Sequence, residues 1–175
     1  MTIQETEIEG LLIFNCLSFP DNRGELLKPF SESFFEDYKY PINLSFKETW
    51  FTKSKKDVIR GMHMQLGPKA CEKLVSVVEG SVLDVIIDLR ERSATFKRIF
   101  NVVLDSKQPR ALYIPIGCAH GYKVLENNTI TLYMATETHD VQNDVGILWN
   151  TFGFDWNIQN PILSEKDLQL PVLNF

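Results

Sequence analysis

Short apolar segments separated by turn signals, with almost no helical periodicity, predict an all-β fold, a sandwich or a barrel, with a few short helices. The segments are "LLIFNCLSF", "LSFKETWFT", "VIRGMHMQ", "KLVSVVE", "SVLDVIIDL", "RIFNVVL", "ALYIPI" and "ITLYMAT", all rich in β-branched or aromatic residues. The two helical patches are "SESFFEDY" at 31 to 38 and "LSEKDLQL" at 163 to 170.

Taken in order, the first two segments are strands ending before Pro20 and at Thr52. In "VIRGMHMQ", alternation puts Ile59, Gly61, His63 and Gln65 on one face and Arg60, Met62 and Met64 on the other, unless Gly61 carries a bulge. "KLVSVVEGSVLDVIIDL" reads as a hairpin about Gly80, with Lys73, Val75 and Val77 sharing a face on its first strand. On its second strand Leu83, Val85, Ile87 and Leu89 face one way, and Val82, Asp84, Ile86 and Asp88 the other. In "TITLYMAT", Thr131, Tyr133 and Ala135 form the more polar face. In the second helical patch Ser164 is the expected N-cap, with Asp167 three residues later. No Ser-, Gly- or Pro-rich linker interrupts the 175 residues, so residues 1–175 are expected to form one domain.

Composition narrows the function. With 44% hydrophobic and 23% charged residues the chain can build a core, and it shows no repeat. A net charge of -5 has the wrong sign for binding nucleic acid. A few local cations could still hold a small anionic ligand. The first apolar stretch, "LLIF", is too short for a signal core or a membrane span, so a cytoplasmic chain with no membrane partner is expected. Cys16, Cys71 and Cys118 are widely spaced without a CxxC, and are expected to be free thiols.

Each chemical candidate has more than one reading. His63, in an apolar strand, suits a satisfied core residue, a metal ligand or a base. Lys73 either snorkels to water or faces an anionic or carbonyl partner. Tyr133 is a packed wall residue or an acid. Pro115, Gly117 and His120 have the spacing PxGxxH, which resembles the second motif of the cupins, small barrels of jelly-roll type. Their metal-binding members carry HxH followed by Glu in the first motif, whereas this chain has His63-Met64-Gln65, so no metal site is expected.

"DNRGELLKPF", "KSKK" with "RGMHMQ", "KLVSVVEGSVLDVIIDLRERSATF", "IPIGCAHGY", "GILWN" and "LSEKDLQLP" occur in the order seen in the dTDP-4-dehydrorhamnose 3,5-epimerases. The chain resembles that family from about Asp21 to Pro171. The resemblance implies a cupin-type jelly-roll β-barrel that epimerises a nucleotide-linked 4-keto-6-deoxy sugar at carbon 3, carbon 5 or both through an enolate. It implies no cofactor, a nucleotide-diphosphate sugar as substrate and a homodimer, with a place in rhamnose-like polysaccharide biosynthesis such as O-antigen or capsule.

Carried over by motif, His63 is the base, Asp167 orients it, Lys73 holds the ketone oxygen and Tyr133 is the acid on the opposite face. Arg23 resembles a residue that reaches across the dimer, and Arg60 a pyrophosphate ligand. His120, Asp84 and Gln65 match pocket positions. Departures from the family pattern mark further substrate-facing positions: Glu48, Trp50 and Thr52 replace QxNxS, Lys28 stands where a carboxylate is frequent, and His139 lies in a normally aromatic stretch. They point to a changed base or sugar, or to inversion at a single carbon. A metal cupin using His63 and His120 and a noncatalytic sugar-nucleotide binding module are the other classes these residues allow.

Overall fold

The computed structural model describes residues 2–32 and 42–173. Thirteen strands, one 3-10 turn and one α-helical turn are arranged as β1 (Thr2–Glu5), β2 (Leu12–Asn15), β3 (Leu17–Asp21), β4 (Gly24–Lys28), β5 (Glu48–Ser54), β6 (Ile59–Gln65), the 3-10 turn (Gly67–Lys69), β7 (Lys73–Glu79), β8 (Ser81–Asp88), β9 (Ile99–Asp105), β10 (Arg110–Ile114), β11 (Cys118–Val124), β12 (Thr129–Ala135), β13 (Asp144–Gly146) and α1 (Glu165–Leu168) among the described residues. The expected helix at 31 to 38 falls, from residue 33 onward, outside them. The expected helix at 163 to 170 forms a single turn, and the Ser164 hydroxyl caps it by accepting from the Asp167 backbone N–H at 3.1 Å.

Two antiparallel sheets make the body. One has the order β1-β2-β10-β7-β12-β5 and the other β13-β6-β11-β8-β9. Inward side chains of both, including Ile13, Val75, Val77, Leu112 and Tyr133 from the first and Val82, Ile86, Leu104 and Tyr122 from the second, form one core between them. The outer face of the second sheet is covered by Ile147, Phe152 and Trp156. This is the jelly-roll arrangement, and the faces assigned to β7, β8 and β12 by alternation hold.

The hairpin expected about Gly80 does not. β7 pairs with β10 and β12, while β8 pairs with β9 and β11, so the chain crosses from one sheet to the other at Gly80. Gly80 has φ +76°, and a β-carbon there would collide with the Thr129 hydroxyl. Alternation reports which face is buried but not which strand lies alongside, and here each strand finds its partners in a different sheet.

β3 and β4 pair only with each other, forming a ribbon outside both sheets. Phe19, Leu26 and Leu27 on it are exposed. Cys16, Cys71 and Cys118 are free thiols. No helix among the described residues is long and apolar enough to cross a membrane.

Candidate active site

The site begins with a bulge in β6. His63 pairs with His120 of β11 and Arg60 with Tyr122, so Gly61 and Met62 together oppose Gly121 alone. Gly61 has φ +121°, and a β-carbon on it would lie 2.5 Å from the Gly121 Cα and 2.7 Å from the His120 carbonyl oxygen. The extra residue re-phases the strand. Ile59, Met62 and Met64 turn outward under Phe152 and Trp156, while Arg60 and His63 both turn into the barrel. The unbulged alternation, which set His63 with Ile59 and against Arg60, is therefore corrected by the bulge at Gly61.

His63 and Asp167 meet in the barrel mouth, His63 Nε2 lying 2.7 Å from Asp167 Oδ1. The chain reaches there because Val58 and Ile162 form a parallel bridge that ties down the segment leading into α1. The Asp167 side chain is 5% exposed and that of His63 27% exposed. Burial pushes the Asp167 carboxyl up, but the hydrogen bond and charge of His63, the Ser164 hydroxyl and the Gly61 backbone N–H together hold it below its ordinary value. An ionised carboxylate only accepts, so His63 keeps its hydrogen on Nε2 and Nδ1 is the basic nitrogen.

Beside this pair lies a second. His120 Nε2 lies 3.0 Å from Asp84 Oδ2, and both side chains are buried. The other oxygen, Asp84 Oδ1, lies 2.9 Å from the same nitrogen and makes no further hydrogen bond among the described residues, and burial raises the Asp84 carboxyl. Each histidine is thus turned to its own carboxylate, and no group of three His, Cys, Asp or Glu among the described residues is placed to hold a metal ion.

His63, Asp167, Lys73, Tyr133, His120, Arg60 and Trp50 line one cavity of about 280 Å³. Lys73 makes no hydrogen bond or ion pair among the described residues; burial lowers its ammonium, against the raising effect of Cys71 and Asp144. Tyr133 is 5% exposed, and the Trp50 ring stacks on it at 5.0 Å between centroids. Burial pushes its phenol well up, with further raising by Tyr122 and Asp84 against a lowering by the Thr52 hydroxyl.

An adjoining cavity of about 400 Å³ shares Trp50, His63 and Lys73 and is lined also by Glu48, Gln65, His139 and Asp144. Glu48 accepts from the His139 backbone N–H at 2.7 Å, and His139 Nε2 lies 3.0 Å from Asp144 Oδ2. Gln65 spends its amide on the chain, donating to the carbonyls of Lys69 and Thr138 and accepting from the Asp140 N–H. Arg60 is held through Nε on the Ser54 hydroxyl at 3.2 Å.

Arg23 and Lys28 do not join these residues. Both sit on the exposed ribbon, Arg23 paired with Asp21 at 2.6 Å and Lys28 over the Phe19 ring at 5.8 Å, and neither lines either of these two cavities. Sequence reasoning passed over Tyr122 and Lys166, which also line the first cavity. Tyr122 was within reach, since it follows His120 by two on one strand face; Lys166 follows only from the placement of α1.

Comparison with known proteins gives a consistent picture. The family model described as dTDP-4-dehydrorhamnose 3,5-epimerase matches residues 5–174. The dTDP-4-dehydrorhamnose 3,5-epimerase of Shigella flexneri is 38% identical over 96% of this chain and 93% of its own length. The crystal structure of the Bacillus anthracis dTDP-4-dehydrorhamnose 3,5-epimerase with TDP and PPi bound superposes with a TM-score of 0.93 at 34% identity, over 98% of this chain and 99% of that one. The Legionella pneumophila dTDP-6-deoxy-D-glucose-3,5-epimerase in complex with dTDP-4-keto-L-rhamnose does so at 0.90 and 31% identity, over 98% and 92%.

Proposed function

Because the chain belongs to the dTDP-4-dehydrorhamnose 3,5-epimerase family, we propose that it epimerises a nucleotide-linked 4-keto-6-deoxy sugar, acting as one domain over residues 1–175. One observation carries the reading: a His63–Asp167 pair, a Lys73 ammonium with no partner among the described residues and a buried Tyr133 face one cavity. His63 Nδ1 takes the proton from the carbon beside the ketone, and Asp167 fixes the ring and balances the imidazolium. The charge moves onto the ketone oxygen, where the Lys73 ammonium meets it without reorganising water. Tyr133 then delivers a proton from the opposite face, inverting the carbon. The base, the electrophile and the acid are all side chains of this chain, and the chemistry requires no cofactor.

Arg60, exposed at the mouth and lining the cavity, is the pyrophosphate ligand in this reading. Arg23 and Lys28 act on the cavity of a partner in a homodimer. A ribbon that pairs with neither sheet of its own chain and exposes Phe19, Leu26 and Leu27 supports that role.

The test is incubation with dTDP-4-keto-6-deoxy-D-glucose in deuterated water. Two deuterons are incorporated if carbons 3 and 5 both invert, and one if a single carbon does. His63→Ala lowers incorporation by roughly 10²–10⁴-fold. Absence of incorporation with any nucleotide 4-keto sugar tried, from the thymidine, uridine, cytidine and guanosine series, overturns the reading. Glu48, Trp50 and His139, the departures from the family pattern, all line the cavities, and the nucleotide series tests whether a sugar or base other than the thymidine-linked one is turned over faster.

A further inference from the structure

The turn that brings Asp167 to His63 buries no apolar side chain that would hold it in place. α1 has four residues, too few to be stable alone; Asp167 is its one buried residue, and Leu168 is 56% exposed. Such an element docks through its polar contacts. The chain is tied down before it at Ile162, which bridges Val58, and after it at Pro171, whose carbonyl accepts from the Leu148 N–H at 2.8 Å. Within α1, among the described residues, two side chains hydrogen-bond to the barrel. Asp167 meets His63, and the Lys166 ammonium donates to Asp144 Oδ2.

Asp144 is itself fixed relative to the base. It lies on β13, which pairs with β6 so that Asp144 stands opposite Gln65 and Gly146 opposite His63. Its side chain is 10% exposed. His139 Nε2 lies 3.0 Å from the same Asp144 oxygen, and Glu48 of β5 accepts from the His139 backbone N–H at 2.7 Å, so the carboxylate is held from both sheets. Burial pushes the Asp144 carboxyl up, but the hydrogen bonds of Lys166 and His139 and the charges of Lys166 and His63 hold it below its ordinary value, and it is ionised at neutral pH.

We infer that Asp144 is a positioning residue for proton removal: by holding Lys166 it docks α1, so that Asp167 meets His63. The inference rests on the epimerase reading above. Consecutive Cα atoms lie about 3.8 Å apart, so anchoring Lys166 leaves the Asp167 backbone little freedom. Asp144 acts on the base only through Lys166 and Asp167.

The experiment follows deuterium incorporation into the 4-keto sugar against pH in Asp144→Asn and, independently, in Lys166→Met, with Asp167→Asn and the double variant Asp144→Asn/Asp167→Asn alongside. In both single variants kcat should fall about tenfold or more, less than the ~10²–10⁴-fold that a general base itself supplies. The acidic limb of kcat/KM should move to lower pH in both, as in Asp167→Asn, because a base parted from its carboxylate holds a proton less firmly. The double variant should be no slower than Asp167→Asn alone, and Asp144→Glu should return the limb toward its parent position. The two single substitutions change the local charge in opposite senses, one removing an anion and the other a cation. Opposite movements of the limb would therefore reveal a field effect and overturn docking; so would additive losses in the double variant or parent-like rates in both single ones. Hydrogen exchange reads the docking without substrate. The Asp167 and Leu168 amides, bonded to the Ser164 hydroxyl and carbonyl, should lose protection in both variants while the β11 amides keep theirs. Retained protection in α1, or a loss spread equally over the barrel, overturns the inference. If the parent chain exchanges no nucleotide 4-keto sugar, the epimerase reading fails, whereas the amides still decide whether Asp144 docks α1.

Discussion

At Asp167, one side chain joins stability to chemistry. Its carboxyl is lowered in the folded chain from an ordinary value of 3.8, because His63, Ser164 and the Gly61 N–H outweigh the opposing effect of burial. A group depressed by folding stabilises above its unfolded value and loses that contribution as pH falls through its folded value. Asp167→Asn is therefore expected to lower the unfolding free energy by about 2 kcal/mol near neutral pH. In urea titrations the gap between the two proteins should close as pH drops below the carboxylate range. A gap that stays constant with pH would assign the contribution to packing and not to the ionised pair. The same substitution removes the acceptor that fixes the His63 tautomer, so proton removal should weaken even where folding is intact.

At the level of the strand, β6 shows how far sequence pattern carries and where it stops. The segment was legible as a strand with His63 in it, and the PxGxxH spacing, Lys73 and the Ser164-capped turn were legible because each follows from local periodicity or motif. The face of Arg60 was not, since one inserted residue reverses everything beyond it and depends on the backbone of β11 opposite. For the same reason the partners of β7 and β8 escaped, being chosen by the sandwich and not by the turn between them. β1 and β13 are too short or too polar to stand out. The bulge yields a sharp expectation. Gly61→Ala sets a methyl group against the Gly121 Cα and the His120 carbonyl, backbone atoms that cannot swing aside. A loss of about 3 kcal/mol or more, or failure to fold, is expected in thermal unfolding, along with loss of proton exchange in any folded fraction. Parent-like melting and exchange would show that β6 tolerates a regular register.

Across the whole molecule, the β3–β4 ribbon carries two of the expected substrate-facing residues away from the cavity of their own chain. If a partner receives them, two defective chains should repair each other. Arg23→Ala lacks the reaching cation and His63→Ala lacks the base, yet a mixed pair contains one cavity with both, so refolding the two together should restore product formation that neither shows alone. Light scattering should give twice the monomer mass for the parent chain. No recovery on mixing would return Arg23 to a role in its own chain or to none. Distance along the chain adds a consequence in time. The carboxylate that arms His63 stands 104 residues further on, and a ribosome adding 5–20 residues per second needs roughly 5–20 s to supply it. Throughout that interval the nascent chain carries His63 without its carboxylate, so it acquires its base only when the segment bearing Asp167 has emerged and docked.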